Sequence, residues 1–333
     1  LVQPSENNPK QAKDGAIAFF TLHAGLDLCC GEYGLLRQLE SAERNITVAT
    51  GLFVGLITLD CIYRVDHVPS SDEKIVAEES LLVAGGPATN AAIAFAALGN
   101  RAILLGALGQ HPLADLIRAD LMTYGIEIVD LSPQLQSPPP LSTILITAAT
   151  GDRAIVSRNA VGRQAETPAT PEQLLTAVDI VLIDGHQIAT SHAIAIAAQS
   201  QTIPIVIDAG SWKPGFDSVL PLATSVIAAA KFQLPSQPDT LTALSALGIP
   251  DVAITHGPNP IHFCDRSTLG TLPVPQVTVQ DTLGAGDIFH GAFCHYRLHT
   301  PFPDALTQAA HVAAESCRHF GTRAWIENAP QRL

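Results

Sequence analysis

The run Asp281-Thr282-Leu283-Gly284-Ala285-Gly286-Asp287 sets two carboxylates on either side of a glycine pair. Directly after it, Ile288, Phe289, Ala292, Phe293 and Tyr296 recur at helical spacing. The glycines therefore fall at a helix N-terminus. Unpaired N–H groups and the positive end of the helix dipole suit a phosphate there. Glycine also lets the backbone approach such an anion closely. Asp287, in the first turn, could take a proton from an attacking hydroxyl. Taken alone, Gly-Ala-Gly fits a simple helix cap equally well; the second carboxylate weighs against that plainer reading.

Three further segments carry polar groups at element ends. Gly85-Gly86-Pro87-Ala88-Thr89-Asn90 opens another apolar helix, with Asn90 one turn inside, able to donate and accept toward hydroxyls. A loop and cap with no ligand explains the same residues. Gly55-Leu56-Ile57-Thr58-Leu59-Asp60 stands at the C-terminal end of a strand, the side on which open α/β sheets bind ligands. Asp60 is either a hydroxyl acceptor or a turn residue. Thr255-His256-Gly257 follows another strand and could touch a phosphate. His295 and His299, four apart with no third ligand, read as a helix face. No G-x-x-x-x-G-K-[ST] loop, no G-x-G-x-x-G after the first strand and no G-x-S-x-G elbow occurs.

These segments need a frame. Apolar runs over 46–56, 102–106, 126–129, 180–183, 205–207 and 252–255 have strand length. Helical patterns over 88–98, 113–124, 191–199, 241–247, 286–298 and 304–318 alternate with them. Strands apolar throughout, separated by helices, predict an α/β fold whose parallel sheet is covered on both faces. Residues 61–83 and 141–156 break the alternation with charged, strand-like patches and no helix. They predict strands standing off the main sheet as a lid, entered the second time through the proline-rich stretch 132–140. Residues 1–45 lack clear periodicity and form an extension without assigned role before a domain over 46–333.

Composition narrows the function classes. Of 333 residues, 47% are apolar and only 15% charged, which predicts a packed globular chain. Net charge is −13 with no basic run, so the electrostatic footprint of a nucleic-acid binder is absent. Six cysteines form no C-x-x-C pair. Neither a zinc site nor a disulfide framework is indicated, and reduced thiols in the cytoplasm are the expectation. No apolar run is long enough to span a membrane. Residues 16–28 make a poor signal peptide, with His23 and Asp27 inside them.

From about Asn45 to the end, the chain resembles the ribokinase-like, or PfkB, carbohydrate kinases, nearest their ketohexokinase and sulfofructose-kinase branches. DTLGAGD carries most of the resemblance. Gly55 with Asp60, then GGPATN, then Gly106-Ala107-Leu108-Gly109, follow in the same order and spacing. The resemblance implies a three-layer α/β/α sandwich, with a mostly parallel central sheet and a small β-lid over the sugar. It implies ATP-dependent phosphorylation of a hydroxyl on a small sugar-like substrate, with Mg²⁺ and, in some members, K⁺. It places Asp287 as catalytic base and Gly284, Ala285 and Gly286 as anion hole. Asp60, Gly85, Gly86 and Asn90 fall at sugar-binding positions, and Thr255, Gly257 and His311 at nucleotide contacts. Asp281 takes the place of a monovalent-cation ligand. Members commonly dimerise through the lid.

Four positions depart from the family pattern. Pro87 replaces a common polar residue, Gly109-Gln110 replaces a G-D pair, and Pro260 stands where a glycine is expected. The stretch 225–232 lacks the Asn and Glu of the NxxE element that organises magnesium. That last absence motivates the alternative of a non-catalytic sugar- and nucleotide-binding protein on the same fold. A nicotinamide-dependent dehydrogenase, the third reading, lacks its glycine fingerprint. Arg158 either recognises an anionic substituent or pairs with a surface acid. Neutral ketoses, acidic sugars and nucleosides follow in that order as substrates. With the ordinary carboxylate pKa near 3.9, Asp287 is expected to be ionised without tuning.

Overall fold

The computed structural model describes residues 48–328, except 161, 236 and 238. The extension over 1–45 lies outside the described residues. The chain enters through β1 (Thr50–Val54), whose five residues are all buried. Phe53 packs into one core, while Leu52 and Val54 pack into another on the opposite side of the sheet. Alternate residues of a strand point to opposite faces. A strand covered on both faces must therefore be apolar at every position.

The chain then leaves the main sheet for β2 (Thr58–Val65) and β3 (Glu79–Gly85) before α1 (Pro87–Ala97) returns to it. Alternation follows through β4 (Arg101–Gly106), α2 (Pro112–Thr123) and β5 (Glu127–Asp130). A second excursion makes β6 (Leu141–Thr147) and β7 (Arg153–Ser157). The main sheet resumes with α3 (Pro171–Leu174), β8 (Ile180–Ile183), α4 (Ile188–Ser200), β9 (Ile205–Ala209), α5 (Phe216–Val219) and β10 (Ser225–Ala229). Next come α6 (Thr240–Ala246), β11 (Asp251–His256), β12 (Asn259–Asp265) and β13 (Thr268–Leu272). Helices α7 (Ala285–Arg297) and α8 (Phe302–Ser316) complete the fold.

Nine strands form the main sheet in the order β13-β12-β11-β10-β9-β8-β1-β4-β5. It is parallel from β5 to β11, and β12 and β13 add an antiparallel edge. Strand β1 lies between β4 and β8. The order reverses there, so the carboxyl ends of β1 and β8 flank the crevice in which such sheets hold ligands. The expected helices and parallel strands are present with ends shifted by a few residues. Three strands were not anticipated. Residues 225–232, read only for a missing motif, supply β10. The hairpin β12–β13 alternates polar and apolar residues, as a half-exposed antiparallel edge does.

The second sheet has the order β3-β2-β6-β7. Its register stacks Asp60 beside Val83 and Ser142, and Ile62 beside Leu81 and Ile144. Asp60 is therefore the third residue of β2, not the end of the first strand: β1 stops at Val54. On the inner face, Ile62, Ile144 and Ile146 form a small core with Leu283 and Phe320. The opposite face leaves Tyr63, Leu82 and Val156 exposed.

Helices α1 and α7 share the first core and cross at very short range. A Cβ added at Gly291 would lie 2.2 Å from the Ala91 carbonyl oxygen and 2.8 Å from the Ala94 Cβ. Only glycine permits that approach. Gly291→Val should therefore destabilise the fold by about 1–3 kcal/mol, the usual cost of overpacking. A denaturant midpoint equal to the parent's would disprove the close crossing.

Candidate active site

The first wall of the site is the N-terminus of α1. Gly86 caps it at φ 104°, and a Cβ there would meet the Leu56 carbonyl oxygen at 2.3 Å. Pro87 follows at the first helical position, where its missing N–H costs nothing. Asp184, buried beyond β8, accepts from the N–H groups of Leu56 at 2.9 Å, Ala88 at 3.2 Å and His186 at 2.9 Å. One carboxylate thus clamps β8, the β1–β2 turn and the start of α1 together. Burial pushes its pKa up, but His186, Lys213 and the N–H donors outweigh this and bring it down to about 2. One turn into α1 stands Asn90.

The second wall is the N-terminus of α7. Gly284 caps it in the left-handed region at φ 70°. Among the described residues, the N–H groups of Gly286 and Asp287 donate to no backbone carbonyl. Gly286 is exposed, with open space where a Cβ would stand. Two free N–H groups at a helix start, facing open space, can take an anion.

The crossing of α1 and α7 brings Asn90 to Asp287: Asn90 Nδ2 donates to Asp287 Oδ2 at 2.8 Å. Burial, reinforced by the charge of Asp208, raises the Asp287 pKa to about 7, against the Asn90 hydrogen bond and the charge of His290. This corrects the expectation of an untuned carboxylate. An Asp surrounded by protein and by other carboxylates holds its proton more tightly than a solvated one.

Asp60 closes the site from the second sheet. Its side chain is buried, and Thr58 Oγ1 donates to it at 3.4 Å. Burial raises its pKa, opposed by hydrogen bonds from Ser142 and Thr58 and by the charge of Arg323. A Cβ on Gly85 would lie 2.0 Å from the Asp60 carboxylate, so the glycine makes room for that acid. Asp60, Gly85, Gly86, Asn90, Gly284, Ala285, Gly286 and Asp287 thus share one corner.

Other expected residues are not tied into it by any hydrogen bond. Thr255 donates weakly to the Ala228 carbonyl at the end of β11, and Gly257 follows at φ 61°. His311 is exposed on α8, and Arg158 is exposed just beyond β7. Asp281 is buried, accepting from the N–H groups of Leu283 and Gly321 at 2.8 Å each. Burial raises its pKa against those bonds and the charges of Arg153 and Arg64. Among the described residues, no group of three or more His, Cys, Asp or Glu is placed to hold a metal ion, and no helix is long and apolar enough to cross a membrane.

Four neighbours of Asp287 were missed from sequence. Asp184 and Asp208 lie at the C-terminal ends of strands, the same signal that singled out Asp60. His290, buried on α7, has Nδ1 at 2.7 Å from the Gly286 carbonyl oxygen, and its Nε2 lies 3.7 Å from Asp208. Arg323 reaches in from the C-terminal segment, 233 residues from its partner Asn90; nothing in its local sequence marks it.

The raised pKa of Asp287 has a thermodynamic sign. A carboxyl whose folded pKa exceeds its unfolded one adds stability that is complete below the unfolded value and lost as pH rises through the folded value. Asn cannot ionise. The melting temperature of Asp287→Asn should therefore exceed the parent's by a margin that grows between about pH 4 and about pH 7, then stays constant. Parallel melting curves at pH 4 and pH 8 with no difference in margin would refute the shift.

Comparison with known proteins agrees with this geometry. The family model of the pfkB family carbohydrate kinases matches residues 51–329. The chain is 26% identical over 265 residues to the ribokinase of Bacillus subtilis (strain 168), covering 75% of this chain and 84% of that one. Ribokinase from Giardia lamblia superposes with a TM-score of 0.70 at 20% identity, covering 85% of this chain and 99% of that one. Arabidopsis thaliana ribokinase, solved with ribose and ATP, gives a TM-score of 0.67 at 19% identity, covering 83% and 94%. With a match across most of its length and the same architecture of sheet and helices, the chain belongs to the pfkB family of carbohydrate kinases, enzymes that phosphorylate a sugar.

Proposed function

We propose that this kinase transfers a phosphoryl group from ATP to a hydroxyl of a small sugar or sugar-like substrate, with Asp287 as general base. The juxtaposition of the Asp287 carboxylate with the N–H groups of Gly286 and Asp287, which have no backbone acceptor at the start of α7, carries this reading. The transition state of phosphoryl transfer is loose, so positioning and electrostatics supply most of the rate. Asp60 and Asn90 hold and orient the sugar. The second sheet acts as a lid that excludes water. Asp287 accepts the hydroxyl proton, and the N–H groups at the start of α7, those of Gly286 and Asp287 without an acceptor, stabilise the charge developing on the phosphoryl group. A pKa of about 7 suits the role, since a general base works best near its operating pH.

Thr255, Gly257 and His311 contact the nucleotide in this reading. Bound with the nucleotide, Mg²⁺ would offset the charge of the phosphates. A K⁺ ion would be held by the buried Asp281 carboxylate, which accepts from the Leu283 and Gly321 N–H groups. Arg158 makes no ion pair among the described residues and is available to an anionic substituent. Neutral ketoses head the substrate panel, followed by acidic sugars, whose charge Arg158 would recognise, and nucleosides. The four free cysteines among the described residues accord with a reducing, cytoplasmic setting.

ADP release from Mg·ATP across that panel tests the assignment. Sugar-dependent turnover should fall about 10²–10⁴-fold in Asp287→Asn. In the parent, kcat/KM should decline below about pH 7. Asp60→Ala should raise KM for the sugar and leave that for ATP near its parent value. ATP binding without turnover on any substrate would favour the non-catalytic reading instead.

The homodimer we propose forms through the outer face of the second sheet, where Tyr63, Leu82 and Val156 are exposed. Light scattering should give twice the chain mass for the parent and a single mass for a Leu82→Asp, Val156→Asp variant. A monomeric parent would remove this surface from consideration.

A further inference from the structure

We propose that Arg323 is a positioning residue of the reaction: its guanidinium fixes which way the Asn90 amide faces, and so aims the Asn90 N–H at Asp287. The role in turnover rests on the reading of Asp287 as the base.

An Asn side chain offers an acceptor at one end and donors at the other, whereas a guanidinium can only donate. Arg323 Nη1 donates to Asn90 Oδ1 at 3.0 Å. The amide oxygen is thereby held toward Arg323, and Nδ2 turns to Asp287 Oδ2 at 2.8 Å. In the opposite orientation the amide oxygen would face the carboxylate and the NH₂ would face the guanidinium. Both contacts would then be repulsive. Among the described residues Arg323 is the one donor to Asn90 Oδ1, so removing it leaves the amide orientation to the Asp287 contact alone.

Arg323 is itself held from several sides. Its side chain is nine-tenths buried. Nη2 donates to the Ala84 carbonyl at 2.6 Å, directly before the double glycine of the sugar corner. Nη1 also reaches Thr322 Oγ1 at 2.7 Å. From α2, the Tyr124 ring lies 5.5 Å from the guanidinium carbon, and Asp120 stands 4.0 Å away while accepting from the Ala84 N–H. The adjoining segment is anchored by the buried Trp325, which donates to the Thr322 carbonyl. A planar fork held at both terminal nitrogens cannot follow Asn90 if it turns; it imposes the orientation.

Several charges act on this chain of contacts. Asp60 on β2, Asp120 and Tyr124 on α2 and Asp287 on α7 act on Arg323. Asp184, Asp208 and His290 act on Asp287 from the other side. Arg323→Lys keeps the positive charge and loses the planar fork, so it separates orientation from electrostatics.

In the full-length chain, Arg323→Lys should shift the Asp287 carboxyl titration, followed by ¹³C NMR, to higher pH than the parent's, because the Asn90 hydrogen bond lowers that pKa. This readout needs no turnover. With the sugar that the parent phosphorylates, kcat should fall about 10²-fold, the scale of a misplaced reacting group, with KM for ATP unchanged. Guanidinium added to Arg323→Ala should restore part of the loss. An unshifted Asp287 titration in a folded Arg323→Lys overturns the proposal. So does parent-like kcat in that variant. A shifted titration in a chain whose parent turns over no sugar would instead refute the kinase reading and leave the orienting role standing.

Discussion

Asn90 can reach Asp287 only because two helix backbones touch. Gly291 lets α7 approach the Ala91 carbonyl closely enough that side chains one turn from each helix start meet across the gap. Everything else in the site is arranged around that contact. The two helix starts lie at the reversal of strand order beside β1 and β8, where the sheet leaves a crevice. Asp184 pins the start of α1 to the ends of β1 and β8, so the position of Asn90 is set by the sheet rather than by a loop. Sites borne on rigid elements are more precise than sites on loops. A kinase that works mostly by positioning depends on that precision.

The same chemical group does opposite work at two points beside the crevice. Asp184 is fully enclosed, yet N–H donors and nearby cations hold it near pKa 2, so it is a permanent anion and a structural clamp. Asp287 has one amide donor and a second carboxylate close by, and rises to about 7. The difference lies in the charges and the donors that each meets. A clamp must never change protonation, and its hydrogen bonds ensure that. A base must change protonation in every cycle, which a surplus of donors would prevent. Pairs of carboxylates whose surroundings drive their pKa values apart are a common way to divide such roles.

How far the sequence discloses this arrangement depends on the range of the interaction. The glycine pair before Asp287 and the double glycine before Asn90 are readable because caps, apolar stripes and turn residues are local. The parallel strands are readable because burial on both faces leaves them apolar throughout. The edge hairpin β12–β13 is not, since a half-exposed strand mixes with loop signals. The pKa of Asp287 is hidden for a related reason: it is set by Asp208, His290 and Asn90, which only the fold assembles around it. Arg323 is the extreme case. Its partner is 233 residues away and its neighbours form no motif. Asp208 and Asp184 were within reach, because each ends a strand as Asp60 was thought to do. Asp60 itself drew notice for a mistaken reason, since it belongs to the second sheet.

That second sheet explains why the acid proposed to hold the sugar can stand in a strand at all. Successive residues of β2 face opposite ways, so Asp60 and Ile62 turn inward while Cys61 and Tyr63 turn outward. The inner row meets Leu283 of the loop before α7 and Phe320 of the C-terminal segment. The outer row meets solvent with apolar side chains. A slip of one residue in register would exchange the two faces, burying Tyr63 against the loop and expelling the acid. Such a slip would strip the inner core of Ile62, Ile144 and Ile146, so the packing that holds the sheet against the loop also holds Asp60 in place. Stability of the small sheet and placement of the acid are therefore one constraint, and neither can be changed without the other.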